Sequence, residues 1–378
     1  MRVVVAIDSF KGSMSSIEAG EAAKSGILRT GNHDVSVLPL ADGGEGTTEA
    51  LVNGLGGEIV KVSVTGPFFD KVNAHYGILA DGNTAVIEMA EAAGITLVDR
   101  NSLDPWHATT FGLGELIIDA LDRGCRNFII GIGGSATCDV GIGMLEALGV
   151  KILDKEGNEL STDFESLGQA FDIDVSHMDI RISECHFQIA CDVKNPLCGD
   201  KGAISVFGPQ KGVKDNEKEL MDGMVSHFAS VVNESFNSHY DTLEGAGASG
   251  GLGFAFKSFF KNVELRPGID IVLDAIQLDS YLKEADVVIT GEGRLDGQTA
   301  MGKVPVGVAK LAKKYGCKVI AFAGAVTQDA RDVNDEGIDA FFPIIRGVCT
   351  LEDAMNRDNA IKNMEDSVEQ VFRLLKEK

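Results

Sequence analysis

The stretch Asp286–Lys303, DVVITGEGRLDGQTAMGK, decides how this chain is read. A short apolar run, Val287–Thr290, gives way to a glycine-rich segment with two carboxylates, an arginine and a lysine before a helix begins. Strand, Gly-rich polar loop, then helix is the order in which α/β proteins present backbone N–H groups to a phosphate. Residues Gly297–Lys303 also read G-x-x-x-x-G-K, but Val304 follows where a P-loop needs Ser or Thr for Mg²⁺. The phosphate logic therefore survives, and the P-loop fold does not. A glycine-rich turn carrying solvated charges is the competing reading.

The same punctuation recurs upstream. Val3–Ile7 is a β-branched run suited to a buried parallel strand, and Asp8-Ser9-Phe10-Lys11-Gly12-Ser13 follows as its loop. Ser15-Ser16-Ile17-Glu18 fits a capping box, with a helix expected to about Leu28. Val35–Leu40 is a second strand, closed by Ala41-Asp42-Gly43-Gly44-Glu45-Gly46-Thr47. Residues 58–64, 74–79 and 85–89 then read as an antiparallel meander with turn residues between them. After a helix at about 109–123, a strand at 128–132 enters the loop Gly133-Gly134-Ser135-Ala136-Thr137-Cys138-Asp139-Val140-Gly141. From Ala285 the alternation is plain: strand 286–290, helix 304–314, strand 318–323, helix near 329–336, strand 340–344 and a last helix over 352–376.

This pattern predicts an α/β protein. One doubly wound parallel-sheet domain, with strands 3–7, 35–39, 128–132, 286–290 and 319–323, is interrupted by a second domain of mixed sheet. The expected division is 1–57, 97–148 and 282–378 for the first domain, and 58–96 with 149–281 for the insertion. Ligands bind such sheets at the carboxyl ends of the strands, where every glycine-rich loop above lies.

A chain of 378 residues favours two domains, and 44% hydrophobic content fills a real core. Its net charge of −23 argues against nucleic acid and anionic membranes as partners. An anionic substrate would need local Lys, Arg or Mg²⁺ to reverse that field. The cysteines, at 125, 138, 185, 191, 198, 317 and 349, form no C-x-x-C pair, which suggests reduced cytosolic thiols. The N-terminus is expected to be a strand and not a signal peptide, and no 18-residue apolar run exists. The chain is thus expected in the cytoplasm. Its assembly is left open, a homodimer included.

Several residue groups carry chemistry. Asp8, Ser9 and Lys11 sit beside a capped helix start, where Lys11 can meet a phosphate and Asp8 can accept a proton or hold a cation. Asp42 and Glu45 suit a hard cation, or a plain Asx turn. Gly131–Ala136 matches G-x-G-x-x-A, a permissive dinucleotide fingerprint. Phosphate or substrate capture by that loop is the better reading, because Asp139 sits inside it. Asp192 with Asn195-Pro196 makes a stiff turn that aims a carboxylate. Gly208-Pro209-Gln210-Lys211-Gly212 adds a lysine in a tight turn, and Gly245–Gly253 lets a backbone approach a ligand or a helix. No histidine lies in a Gly-rich loop, and G-x-S-x-G and H-E-x-x-H are both missing, so a hydrolase triad or zincin is not expected.

Taken together, Asp8–Gly12, Leu40–Thr47, Gly133–Thr137, Asp192-Val193-x-Asn195-Pro196-Leu197-x-Gly199, Gly208–Gly212 and Thr290-Gly291-Glu292-Gly293-Arg294-x-Asp296-x-Gln298 resemble the bacterial glycerate kinase family. The match is colinear over essentially the whole chain. It implies Mg-assisted phosphorylation of D-glycerate by ATP, usually to 2-phosphoglycerate, in the cytoplasm. It also implies a flavodoxin-like domain with an inserted α/β domain and an active site in the cleft between them. On that footing Asp192 is the expected base, with Asp8 next, and Lys11, Lys211 and Arg294 neutralise charge. Ser9, Gly133, Gly134, Ser135, Asn195, Lys211, Gly247, Gly291, Gln298 and Lys303 are candidates for substrate and phosphate contacts. Asp42, Glu45, Glu292 and Asp296 are the candidate metal ligands. The alternatives are an NAD-dependent hydroxyacid oxidoreductase using Gly131–Ala136 and a non-catalytic hydroxyacid-binding protein.

Overall fold

The computed structural model describes residues 1–375. Its strands, in chain order, are β1 (Arg2–Ile7), β2 (Asp34–Pro39), β3 (Gly57–Thr65), β4 (Lys71–Leu79), β5 (Thr84–Glu88), β6 (Asn127–Gly131), β7 (Lys151–Leu153), β8 (Asp172–Asp174), β9 (His186–Ala190), β10 (Val263–Arg266), β11 (Val287–Leu295), β12 (Lys318–Val326) and β13 (Ala340–Pro343). The chain divides into two compact units. The first comprises Met1–Asp42, Glu49–Gly56 and the chain from Ile269 onward; the second comprises Gly43–Thr48 and Gly57–Gly268.

The first unit is built on a five-stranded parallel sheet in the order β13-β12-β11-β1-β2. Numbered within the sheet this is 2-1-3-4-5, the flavodoxin-like order, whose switch point lies between β1 and β11. β1 is central and buried from Val3 to Ile7, as its unbroken β-branched run requires. Helix Ser16–Leu28 starts with the expected capping box: Glu18 N–H donates to Ser15 Oγ, and Ser15 N–H donates to the Glu18 carboxylate. It packs its Ala19, Ala22, Ala23 and Ile27 face with Met364, Val368 and Phe372 of helix Arg357–Leu375 over Val3, Val5 and Ile289. Gly26 marks the crossing of those helices, since a Cβ there would lie 2.3 Å from the Glu365 carbonyl oxygen.

Three expectations for this unit change. First, β11 does not stop at Thr290. It runs to Leu295, because Arg294 and Leu295 stay in register with Ala325 and Val326 of an equally long β12. Glycine makes this extension fit: a Cβ on Gly291 would meet the Phe322 carbonyl oxygen at 2.1 Å. Second, the strand expected at 128–132 is β6 of the other unit, and β13 takes the fifth place here. An apolar β-branched run shows that a strand is buried but not which sheet buries it. Third, the last helix is two helices, Leu351–Met355 and Arg357–Leu375. Asn356 is extended and its Oδ1 accepts from Asn359 N–H at 3.1 Å, which starts a new helix. The expected end at 376 lies outside the described residues.

The second unit carries a six-stranded mixed sheet, β10-β9-β6-β5-β4-β3, with a small β7-β8 hairpin. β3, β4 and β5 form the expected antiparallel meander, and β5, β6, β9 and β10 run parallel. Segment 97–148 belongs here and not to the first unit. The core centres on Phe187, stacked on Phe128 at 4.8 Å and packed against Phe256 and Phe260. No helix among the described residues is long and apolar enough to cross a membrane.

Candidate active site

In the first unit a cavity of about 400 Å³ opens at the carboxyl ends of β1 and β11, where the strand order switches. Asp8 follows β1 directly, with its backbone N–H bonded to the Gly291 carbonyl of β11 at 3.0 Å. Its side chain is 6% exposed, and Ser9 N–H donates to its Oδ1 at 2.6 Å. Burial, and then the neighbouring Asp42 carboxylate, push the Asp8 pKa from an ordinary 3.8 to about 7. Glu292 is also buried, accepts from the Thr299 hydroxyl, and is raised above the ordinary carboxylate range by burial.

Cations surround this pair without being committed to it. Lys11 Nζ is 3.8 Å from Asp42 Oδ2, Arg294 Nε is 3.6 Å from Asp296 Oδ2, and Lys303 Nζ is 3.7 Å from Asp296 Oδ1. All three separations exceed hydrogen-bond length, and the three side chains are 62, 66 and 40% exposed. Such pairs contribute little to folding and leave the cations available to an anion. The glycines of β11 make room for the β1 loop: the Phe10 Cα lies 3.5 Å from where a Gly293 Cβ would sit. Asp296 spends its Oδ1 on Gln298 N–H and Thr299 N–H, so it shapes its own turn, and Gln298 is exposed. The N–H groups of Thr299, Met301, Gly302 and Lys303 are consumed by bonds within that turn. What this loop offers an anion is therefore the side chains of Lys303 and Arg294, not a backbone cradle.

In the second unit, the loop after β6 leaves Gly133 and Gly134 exposed and is fixed from beneath. Lys211 is buried and donates to Ser135 Oγ at 2.5 Å and to the Thr137 carbonyl at 2.6 Å. It makes no ion pair among the described residues, and burial depresses its pKa. The lysine expected to neutralise phosphate charge is thus an internal support for the loop. Asp139 likewise points inward: it accepts from Thr110 N–H, Thr110 Oγ1, Gly141 N–H and Gly143 N–H at 2.7–3.3 Å. Helix Ile142–Ala147 begins only after Gly141, several residues beyond the glycines. A dinucleotide fingerprint needs the helix to open on the glycine loop, so the oxidoreductase reading loses its support.

The other candidates of this unit are placed as follows. Asp192 is exposed, and its Oδ1 accepts from Gly268 N–H at 2.9 Å. Asn195 Nδ2 donates to the Lys201 carbonyl at 2.8 Å, while its own carbonyl accepts from Gly247 N–H at 3.0 Å. Gly247 serves close packing, since a Cβ there would lie 2.2 Å from the Pro196 carbonyl oxygen. Glu45 is exposed in a loop that sequence reasoning left without an anchor. That anchor is Glu88, at the end of β5, which accepts from Gly46 N–H at 3.2 Å and Thr48 N–H at 2.8 Å. A glutamate closing an otherwise apolar strand was the available signal.

The four expected metal ligands do not converge. Among the described residues no group of three or more His, Cys, Asp or Glu side chains is arranged to hold a metal ion. Asp42, Glu292 and Asp296 line the cavity with Asp8, but Asp296 Oδ1 is taken up by its own loop, and Glu45 belongs to the second unit.

Residues 3–376 match the model of the glycerate kinase family. The chain is 46% identical over 377 residues to a glycerate kinase of Bacillus subtilis (strain 168), covering 100% of this chain and 98% of the relative. It is 46% identical over 356 residues to the glycerate 2-kinase of Escherichia coli (strain K12), covering 94% and 93% of the two chains. A crystal structure of a protein named glycerate kinase 2 from Salmonella typhimurium LT2 superposes with a TM-score of 0.91 at 45% identity, covering 99% of this chain and 98% of that one. By sequence and by fold, this chain belongs to the glycerate kinase family.

Proposed function

We propose that this enzyme transfers the γ-phosphoryl group of ATP to the 2-hydroxyl of D-glycerate, giving 2-phosphoglycerate and ADP. The observation that carries the chemistry is Asp8, a buried carboxyl with a pKa near 7 in a cavity ringed by uncommitted cations. A base works best when its pKa lies near the working pH. In this reading the glycerate hydroxyl oxygen attacks the γ-phosphorus, the bond to the ADP oxygen breaks, and the hydroxyl proton passes to Asp8. Lys11, Lys303 and Arg294 neutralise phosphate charge, and the planar guanidinium of Arg294 suits two oxygens at once. Asp192 is the second candidate for the base. The name of the Escherichia coli relative, glycerate 2-kinase, supports the 2-position.

Mg²⁺ fits this donor set in a limited way. The ion is commonly held by one or two carboxylates together with substrate phosphates, and needs no all-protein cage. The Asp42 carboxylate helps to raise the pKa of both Asp8 and Glu292, and a cation held among these carboxylates would relieve that repulsion. Asp42 and Glu292 would hold it, and it would supply charge neutralisation on the nucleotide phosphates. Seven cysteines without a disulfide among the described residues suit a reducing compartment, in keeping with a cytoplasmic enzyme.

The test is D-glycerate with Mg-ATP, coupled to enolase alone and read as phosphoenolpyruvate. Signal without phosphoglycerate mutase supports transfer to the 2-hydroxyl. Signal only after mutase is added moves the acceptor to the 3-hydroxyl, and no ADP in either case refutes the kinase reading. Asp8→Asn and Asp192→Asn, assayed side by side, separate the two bases. The true base loses about two to four decades in kcat, while the other variant stays within about tenfold.

A further inference from the structure

The cavity of the first unit has two chemically different ends. One carries Asp8, Lys11, Glu292, Arg294 and Lys303. The other is a wall of Ile345, Leu351, Ala354 and Met355, with the Asn363 side chain set into it. That wall has no structural reason to be apolar. Helix Leu351–Met355 buries none of its residues, and Ile345, Leu351 and Met355 of the wall are exposed. Asn363 lines the cavity half-buried, and its amide makes no hydrogen bond with any described residue. Apolar side chains gathered in one exposed patch, with an unspent donor–acceptor pair among them, are the signature of a ligand surface.

We infer that this wall seats the purine base of the phosphate donor, with the Asn363 amide on the base edge and the phosphates running toward Lys11 and Lys303. The inference rests on the ATP-dependent reading given above. An aromatic base has apolar faces that gain from burial against Leu351 and Met355. Its edge presents a donor beside an acceptor, as adenine does at N6 and N7, and a primary amide matches both at once. A volume of about 400 Å³ accommodates a nucleoside but not a nucleoside together with a second large ligand. Gly12 is part of the same fit. Its φ is +83°, and a Cβ there would lie 2.8 Å from Met355 Cε, so glycine keeps the methionine in the wall.

The experiment uses the full chain, wild type and the variants Asn363→Ala and Leu351→Asp, both at positions outside the core. Binding of ATP and of inorganic tripolyphosphate is measured by calorimetry without glycerate, so that turnover does not decide the result. Each variant is expected to weaken ATP about tenfold and to leave tripolyphosphate unchanged, because only the base touches the wall. Turnover assays should show the same rise in KM for ATP with KM for glycerate unmoved. Unaltered ATP affinity in both variants overturns the inference, whether or not the wild type phosphorylates glycerate. Parallel weakening of ATP and tripolyphosphate overturns it too, since the wall would then be acting on the phosphates or the fold. Wild type that binds ATP in this pattern but phosphorylates no glycerate refutes the proposed reaction and leaves the base seat standing.

Discussion

Replacing Asp8 by Asn should make the first unit more stable at alkaline pH while it removes activity. The Asp8 carboxyl is 6% exposed and its pKa is raised from 3.8 to about 7. The folded chain therefore holds a proton that the unfolded chain releases between those two values. Stability must fall as pH rises through that window and level off above about 7. A rise of about three pKa units at about 1.4 kcal/mol each sets a ceiling of about 4 kcal/mol on the cost at pH 8, and under half of that at pH 5. The amide keeps an oxygen for Ser9 N–H and carries no charge against Asp42. At roughly 2–4 °C per kcal/mol, the variant should melt higher than wild type by on the order of 10 °C at pH 8, and by clearly less at pH 5. Scanning calorimetry of both proteins between pH 5 and 8.5 reads the difference. In parallel, wild-type kcat/KM should rise with pH through about 7 as the base loses its proton, and the variant should lack that limb. A variant no more stable than wild type at pH 8, or a gap that does not change with pH, would refute the assignment of Asp8 as a buried, destabilised carboxylate. Removing a strained functional group commonly exchanges activity for stability in this way.

Three further outcomes test the scaffold. Asp139→Asn should lower the melting temperature of the second unit, because a single amide oxygen cannot accept all four bonds from Thr110, Gly141 and Gly143. The cost is about 1–3 kcal/mol for the donor left unpaired, and an unchanged melting temperature would contradict the assigned network. Lys211→Met keeps the bulk but leaves the Thr137 carbonyl without its donor. Faster amide exchange over residues 133–137 is expected, and unchanged protection there would mean the loop does not depend on the buried ammonium. Gly291→Ala forces a Cβ within 2.1 Å of the Phe322 carbonyl in the middle of the parallel sheet. Loss of about 3 kcal/mol or more, or failure to fold, is expected, and near wild-type stability would show that β11 and β12 separate more easily than their register implies.

What could be read in advance depended on the range of the interaction that fixed it. The Val3–Ile7 strand, the Ser15–Glu18 box and the β3-β4-β5 meander are set by neighbours in sequence, and the structure keeps them all. The sheet to which β6 belongs is set by pairing with β5 and β9, tens of residues away on either side, and nothing within Asn127–Gly131 records it. β11 hid its length for a related reason. Its last residues are polar and glycine-rich because they line a cavity, so they look like loop although β12 pairs with them to the end. The site divides in the same way. That Asp8, Lys11, Glu292, Arg294 and Lys303 line one cavity could be anticipated from their positions at or after the ends of apolar runs, since an α/β sheet gathers what lies at its carboxyl ends. The pKa of Asp8 could not, because it comes from burial and from Asp42, a residue of the next strand's loop. Lys211 shows the opposite failure. A lysine between Gln210 and Gly212 in a tight turn reads as a cation for phosphate, yet it is buried against the Ser135 hydroxyl and the Thr137 carbonyl as an internal strut. Asn363 and the Leu351–Met355 wall left only a weak trace, an apolar side to a short polar helix, because their purpose lies in a cavity and not in the core. A residue that serves a ligand is invisible to arguments from folding until the folded surface shows that nothing in the protein uses it.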